Sequence, residues 1–108
     1  MGNENQNISS LRPFFDGSDY PHWKFKIELY LDCDSIKLWD IVQKDWEPPK
    51  ATVNGVETEI ERDNWNAIQQ EGNHNNKKAM ITLVSSMRRK EGGKLQHYTS
   101  TKKMWKTL

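Results

Sequence analysis

Phe14-Phe15-Asp16-Gly17-Ser18-Asp19-Tyr20-Pro21-His22-Trp23 decides the fold, because an apolar anchor, a glycine turn and an aromatic helix start follow one another without a spacer. Gly17 supplies the turn, Ser18 or Asp19 is placed to cap the next helix, and Pro21 falls in its first turn, where a missing N–H is tolerated. Trp23, Ile27, Tyr30 and Leu31 then recur at helical spacing, while Lys24, Lys26, Glu28 and Asp32 face elsewhere. That pattern predicts an amphipathic helix to about Cys33 with its aromatic stripe in the core.

Downstream, Asp34 or Ser35 is placed to cap a second short helix through Ile36, Leu38, Trp39 and Val42, which Trp46-Glu47-Pro48-Pro49 ends. Asn54-Gly55 stands between Val53 and Val56, but the flanks are short for a strand pair, so residues 50–58 are expected to form a loop. Helical periodicity returns at about Glu59 with Ile60, Trp65, Ile68, Ala79, Leu83, Val84 and Met87, and Gly72 to Asn76 weaken its middle. One long helix with a strained centre is expected, with Arg88-Arg89-Lys90 in its last turn and Gly92-Gly93 ending it. A short helical turn over Lys94 to His97 follows. Ser100 then caps a terminal helix whose Met104, Trp105 and Leu108 point inward, and the C-terminus reads as truncated.

The 108 residues fit one domain: a leader over 1–10, rich in Asn, Gln, Ser and Glu and expected to be disordered, and a helical domain over 11–108. Hydrophobic residues make up 34% and mean hydropathy is -0.96, so the core must lean on the eleven aromatics. No apolar run reaches the ~20 residues of a membrane span, and the start lacks a signal region, which predicts a cytoplasmic protein with no membrane partner. Gly2 invites N-myristoylation, but Gln6 stands where that motif wants Ser or Thr. Cys33 is the single cysteine, leaving no disulfide or cysteine-built zinc site within the chain. The net charge of +1 conceals a polarity: residues 1–72 carry 7 basic and 14 acidic side chains, residues 73–108 carry 9 basic and 1 acidic. Such an imbalance serves head-to-tail self-association or attraction of nucleic acid to one end, and solvation alone also accounts for it.

Catalysis finds no support, so the chain is expected not to be an enzyme and to take no cofactor or small-molecule substrate. His22, His74 and His97 lack ligand spacing, which predicts no metal site. Glu57, Glu59, Glu61 and Asp63 read as surface acids complementing a helix start. Gly92-Gly93 lacks the Lys-Ser/Thr continuation of a phosphate loop. Arg88, Arg89, Lys90 and Lys94, with Tyr98 near, are candidate RNA contacts, although a solvated helix end explains them equally well.

These residues resemble the N-terminal region of Gag from copia-type long-terminal-repeat retrotransposons. Four landmarks fit in order over about residues 11–108: Phe15-x-Gly17-x-x-Tyr20-x-x-Trp23, then Leu38-Trp39-x-x-Val42 with Glu47-Pro48-Pro49, then Trp65, then Ser100-Thr101-Lys102-Lys103-Met104-Trp105-Lys106-Thr107-Leu108. The last is similar to the family's Thr/Ser-Ala-Lys-Glu-hydrophobic-Trp-Asp-x-Leu pattern, but Thr101, Lys103 and Lys106 replace its usual Ala and two acids. The resemblance implies an all-α fold, a small orthogonal bundle of about five helices like a capsid N-terminal lobe. It implies a homo-oligomer that self-associates into a capsid or virus-like particle around element RNA. The family's downstream zinc knuckle is not among these residues, so RNA packaging through it is not assigned. Two other readings stay open: a host-adopted Gag-like interaction module, and an RNA-binding domain using the basic C-terminal third.

Overall fold

In the computed structural model, which describes residues 12–33 and 38–108, helix α1 (Tyr20–Asp32) carries Pro21 in its first turn and buries Trp23, Ile27 and Leu31. Those three lie four residues apart on one face, as the spacing predicts. The expected side-chain cap is not formed. Asp19 holds the cap position in a left-handed conformation, φ 45°, while Ser18 donates its N–H and its hydroxyl to Asp16 Oδ1 at 3.0 and 2.6 Å. Asp16 thus turns the chain locally and the helix starts on Pro21 geometry. The leader expected over 1–10, Leu11 and the Asp34 or Ser35 cap lie outside the described residues.

Helix α2 (Leu38–Gln43) buries Leu38 and Val42. The chain then passes Pro48 and Pro49 into a β-hairpin, β1 (Lys50–Val53) and β2 (Val56–Glu59), where a loop was expected. Lys50 pairs with Glu59, Ala51 with Thr58, Thr52 with Glu57 and Val53 with Val56. Asn54 and Gly55 both take positive φ, 52° and 79°, the backbone of the two-residue turn whose twist matches antiparallel strands. Ile60 N–H adds one more bond to the Pro49 carbonyl at 2.9 Å. The fold is therefore mostly helical with a small two-stranded sheet, not all-α.

Helix α3 (Ala67–Ser85) is one unbroken element of 19 residues, beginning well after Glu59. A capping box sets its start: Gln69 N–H donates to Asn66 Oδ1 at 2.8 Å and Asn66 N–H to Gln69 Oε1 at 2.9 Å. Ile60 and Trp65 precede the helix, and Ile68 in its first turn is 83% exposed, so the expected stripe holds only from Ala79 onward. Gly72 and Asn76, the expected soft centre, are docking points. A Cβ on Gly72 would stand 2.8 Å from Trp46 Nε1, so the missing side chain admits the indole. Asn76 is fully buried against the start of the last helix.

The helix ends at Ser85, where the first segment clamps onto it: Phe15 N–H donates to the Ser86 carbonyl at 2.7 Å and Arg88 N–H to the Phe15 carbonyl at 3.1 Å. Arg88-Arg89-Lys90 do not occupy its last turn. Arg88 instead precedes a separate short helix, α4 (Arg89–Gly92), which continues as a 3-10 turn over Gly93–Leu95. Gly92 is buried within it, the Val84 carbonyl 3.3 Å from where a Cβ would sit. The cations therefore crowd a helix start and gain nothing from its dipole. Helix α5 (Thr101–Thr107), capped by Ser100, buries Met104 and half-buries Trp105, with Leu108 packed beside it. α2 packs on α1, α3 and α5, and α3 packs on α4 and α5. The radius of gyration, 16.1 Å, exceeds the ~13 Å of a compact chain of this length, and the hairpin is exposed along both strands.

Candidate functional site

Three of the four sequence landmarks meet in one wall of aromatics. Phe15 lies 5.7 Å from Tyr20 and 5.1 Å from Trp23 between ring centroids. Trp39 meets Trp105 edge-on at 5.1 Å. Lys24 joins the groups, its Nζ 4.8 Å from the Trp105 ring, 5.6 Å from the Tyr20 ring and 3.4 Å from the Leu108 carbonyl. Gly17, at φ 97°, leaves the space that the Arg88 guanidinium fills. Leu38 and Val42 are buried beneath this wall. Phe15, Gly17, Tyr20, Trp23, Leu38, Trp39, Val42, Trp105 and Leu108 thus occupy packing positions, and none presents a reactive group to a cleft.

Trp65, the remaining landmark, lies apart and roots the hairpin. It meets Trp46 edge-on at 6.0 Å and donates its indole N–H to the Ile60 carbonyl at 2.9 Å, while Pro48 is half-buried beside the strand start. Beyond this root the hairpin stands free. Alternation puts Lys50, Thr52, Glu57 and Glu59 on one face and Ala51, Val53, Val56 and Thr58 on the other. Among the described residues nothing covers the second face: Val53 is 57% and Val56 62% exposed.

The opposite end of α3 is basic. Arg88 spends its guanidinium on Glu91, with Nε to Oε1 and Nη2 to Oε2 both 3.0 Å. Those hydrogen bonds raise the Arg88 pKa and hold the Glu91 carboxyl below the usual carboxylate range. Asp16, likewise lowered, owes that first to the Ser18 hydroxyl. Arg89, Lys90 and Lys94 are exposed, and among the described residues no carboxylate pairs with them. Beside them opens a groove of about 400 Å³ floored by Val84, Met87, Gly92 and Gly93 and rimmed by Arg89 and Gln96.

No family model, curated protein or solved structure matches this chain. The site is therefore read from its own chemistry. A polar cleft of about 450 Å³ gathers Arg62, Asp63, Gln70, Asn73, His74 and Lys77, without a hydroxyl or thiol nucleophile beside a base. His22 lines a different hollow and His97 stacks on Tyr98 at 4.2 Å, so the three histidines stay apart. Among the described residues no three His, Cys, Asp or Glu side chains gather where they could hold a metal ion, and no helix is long and apolar enough to cross a membrane.

Two features escaped the sequence reading. The hairpin tip was signalled by Asn54-Gly55 between valines. Asn76 carried no such signal, since its partners lie 23 and 25 residues away.

Proposed function

We propose that this chain is a Gag-like structural domain of the copia retrotransposon type, whose work is to associate with copies of itself into a shell around element RNA. One observation carries the reading: a small domain whose tryptophans are used in packing leaves Phe14, Phe25, Leu29, Val53, Val56 and Ile81 more than half exposed, with acidic side chains in excess over residues 1–72 and basic ones over 73–108. Exposed apolar residues on a small domain mark surfaces for association when they cluster, as the hairpin valines do. The order of the four landmarks supplies the family part of the proposal.

The test is sedimentation velocity over a concentration series. Concentration-dependent oligomers are expected, and a monomer at every concentration would refute the reading and favour a host-adopted interaction module. A second reading, RNA binding, is favoured by Arg89, Lys90 and Lys94 standing without partners among the described residues. It predicts affinity that falls steeply with salt and drops when Arg89 and Lys90 are replaced.

A further inference from the structure

We propose that copies of this chain associate head to tail, the hairpin tip of one seating in the groove between α3 and α4 of the next. This rests on the self-association reading and names its contact.

The tip and the groove match in chemistry. Val53 and Val56 face one another across the last rung, both more than half exposed, on a two-residue turn that projects from the body. An isolated two-stranded hairpin is marginal in water, so an apolar face left open gains by being covered. The groove floor of Val84, Met87, Gly92 and Gly93 is apolar, and exposed Gly93 offers backbone that the tip can approach closely.

Charge decides the orientation. Residues 50–63 carry Glu57, Glu59, Glu61 and Asp63 against Lys50 and Arg62, and the one ion pair among them, Lys50 with Glu57, is loose at 3.9 Å and exposed. The groove end has the opposite sign: Arg88 is already neutralised by Glu91, which leaves Arg89, Lys90 and Lys94 for an outside partner. Glu57 and Glu59 stand on the strand face opposite the valines, so a tip seated with its valines on the floor turns them outward, toward the rim where Arg89 stands, whereas two tips or two grooves would set like charges together.

Geometry allows each copy to use both faces at once. The hairpin leads into the start of α3 and the groove lies at its end, separated by 19 residues of helix, about 28 Å at ~1.5 Å per residue. Two different patches on one chain make a heterologous contact, which closes into rings or continues as open strands. A two-fold dimer would use one patch against itself and stop.

The test is a charge swap read by sedimentation velocity. Glu57→Lys with Glu61→Lys reverses the hairpin; it gives up the loose, exposed Lys50–Glu57 pair and keeps Glu59, which stands directly across from Lys50. Arg89→Glu with Lys90→Glu reverses the groove rim. Each double variant alone should weaken association by about tenfold or more, the scale expected when like charges are forced together. Mixed in equal amounts they should assemble again, because each reversed face then meets its complement. All four positions are exposed, and thermal melts at low concentration should match wild type.

Wild type that assembles while both variants assemble equally well would overturn the contact and leave self-association standing. Variants that fail alone and stay apart when mixed would also overturn it. Wild type that never associates would remove both proposals together. Loss of oligoribonucleotide binding in the groove variant, with assembly unchanged, would assign the cations to RNA and overturn the contact.

Discussion

Replacing Asn76 by alanine tests whether the middle of α3 is weak or is the point on which the C-terminal helix hangs. Asn76 is fully buried, accepts from the Thr101 N–H at 3.1 Å and from the Thr101 hydroxyl at 2.8 Å, and donates to the Thr99 carbonyl at 3.0 Å. Thr101 is the first residue of α5, so its N–H has no partner within that helix, and Asn76 serves as a cap supplied from another helix. In Asn76→Ala that N–H is left buried and unbonded, at about 1–3 kcal/mol. An uncollapsed void of about 40 Å³ adds about 1 kcal/mol. The Thr101 hydroxyl keeps its bond to the Asn76 backbone carbonyl at 3.0 Å, and Thr99, being exposed, is resolvated. Against this, alanine gains up to ~0.7 kcal/mol of helix propensity. The net is a loss of about 1.5–3 kcal/mol, a fall in melting temperature of roughly 6–24 °C for a domain of this size. The assay is thermal unfolding by circular dichroism at concentrations below association, since oligomers shift the melt. A propensity argument alone gives the opposite sign, a slight rise. A variant that melts at or above wild type would refute the docking role.

Trp23→Ala should cost about 3–5 kcal/mol and abolish a cooperative melt, because Trp23 is 4% exposed at the centre of the aromatic wall; a cooperative transition near that of wild type would sink this. Gly17→Ala should destabilise more than Gly55→Ala in chemical denaturation. Both glycines have positive φ, which costs alanine about 1–2 kcal/mol, but only at Gly17 would the added carbon strike a neighbour, the Arg88 guanidinium. Equal losses would show that Arg88 moves aside freely. Glu91 has its folded pKa depressed by Arg88, so the stability it contributes is present above the ordinary carboxylate range and is lost as pH falls through its lowered value. Glu91→Gln should therefore melt below wild type at about pH 7, and the gap should close as pH falls through the lowered Glu91 value and the carboxyl takes up its proton. A deficit that stays constant as pH falls would show that packing, not charge, accounts for it.

The parts of the fold legible in sequence were those whose cause is local and periodic. Trp23, Ile27 and Leu31 read as core because a four-residue spacing admits one interpretation over thirteen helical residues. The acidic run Glu57 to Asp63 admitted two, since alternating acids suit a helix start as well as a strand with one solvated face. Asn66, three residues past Asp63, marks the true start of α3 through its reciprocal bond with Gln69. Arg88 misled for the same reason, as cations near a helix end suit its last turn, while the break at Ser86 depends on Phe15 docking from 71 residues earlier. Asn76 and Gly72 looked like poor helix formers because propensity describes an isolated helix. In the folded chain each is fitted to a partner, Thr101 or Trp46, that the local sequence does not contain. The candidate contact was less legible still. Val53 and Val56 are visible as residues, but that they are uncovered, and that a groove of opposite charge lies a helix length away, are facts of packing.

The distribution of exposed apolar residues bears on what kind of assembly such a chain would form. Phe25 and Leu29 share a stripe on the outer face of α1, Val53 and Val56 stand on the hairpin, and Ile68 and Ile81 lie thirteen residues apart on α3. Thirteen steps of about 100° leave those two isoleucines on different sides of the helix. The exposed set is thus divided among separate small patches, none of which approaches the 1,000 Å² or so of a stable standard interface. An obligate dimer would concentrate its apolar surface in one seam. Several weak contacts on different faces instead give affinity through number, since each bond made raises the effective concentration for the next. Under the proposed association, a subunit of this design would stay apart when dilute and join when crowded, each hairpin and groove acting as one of many small fasteners.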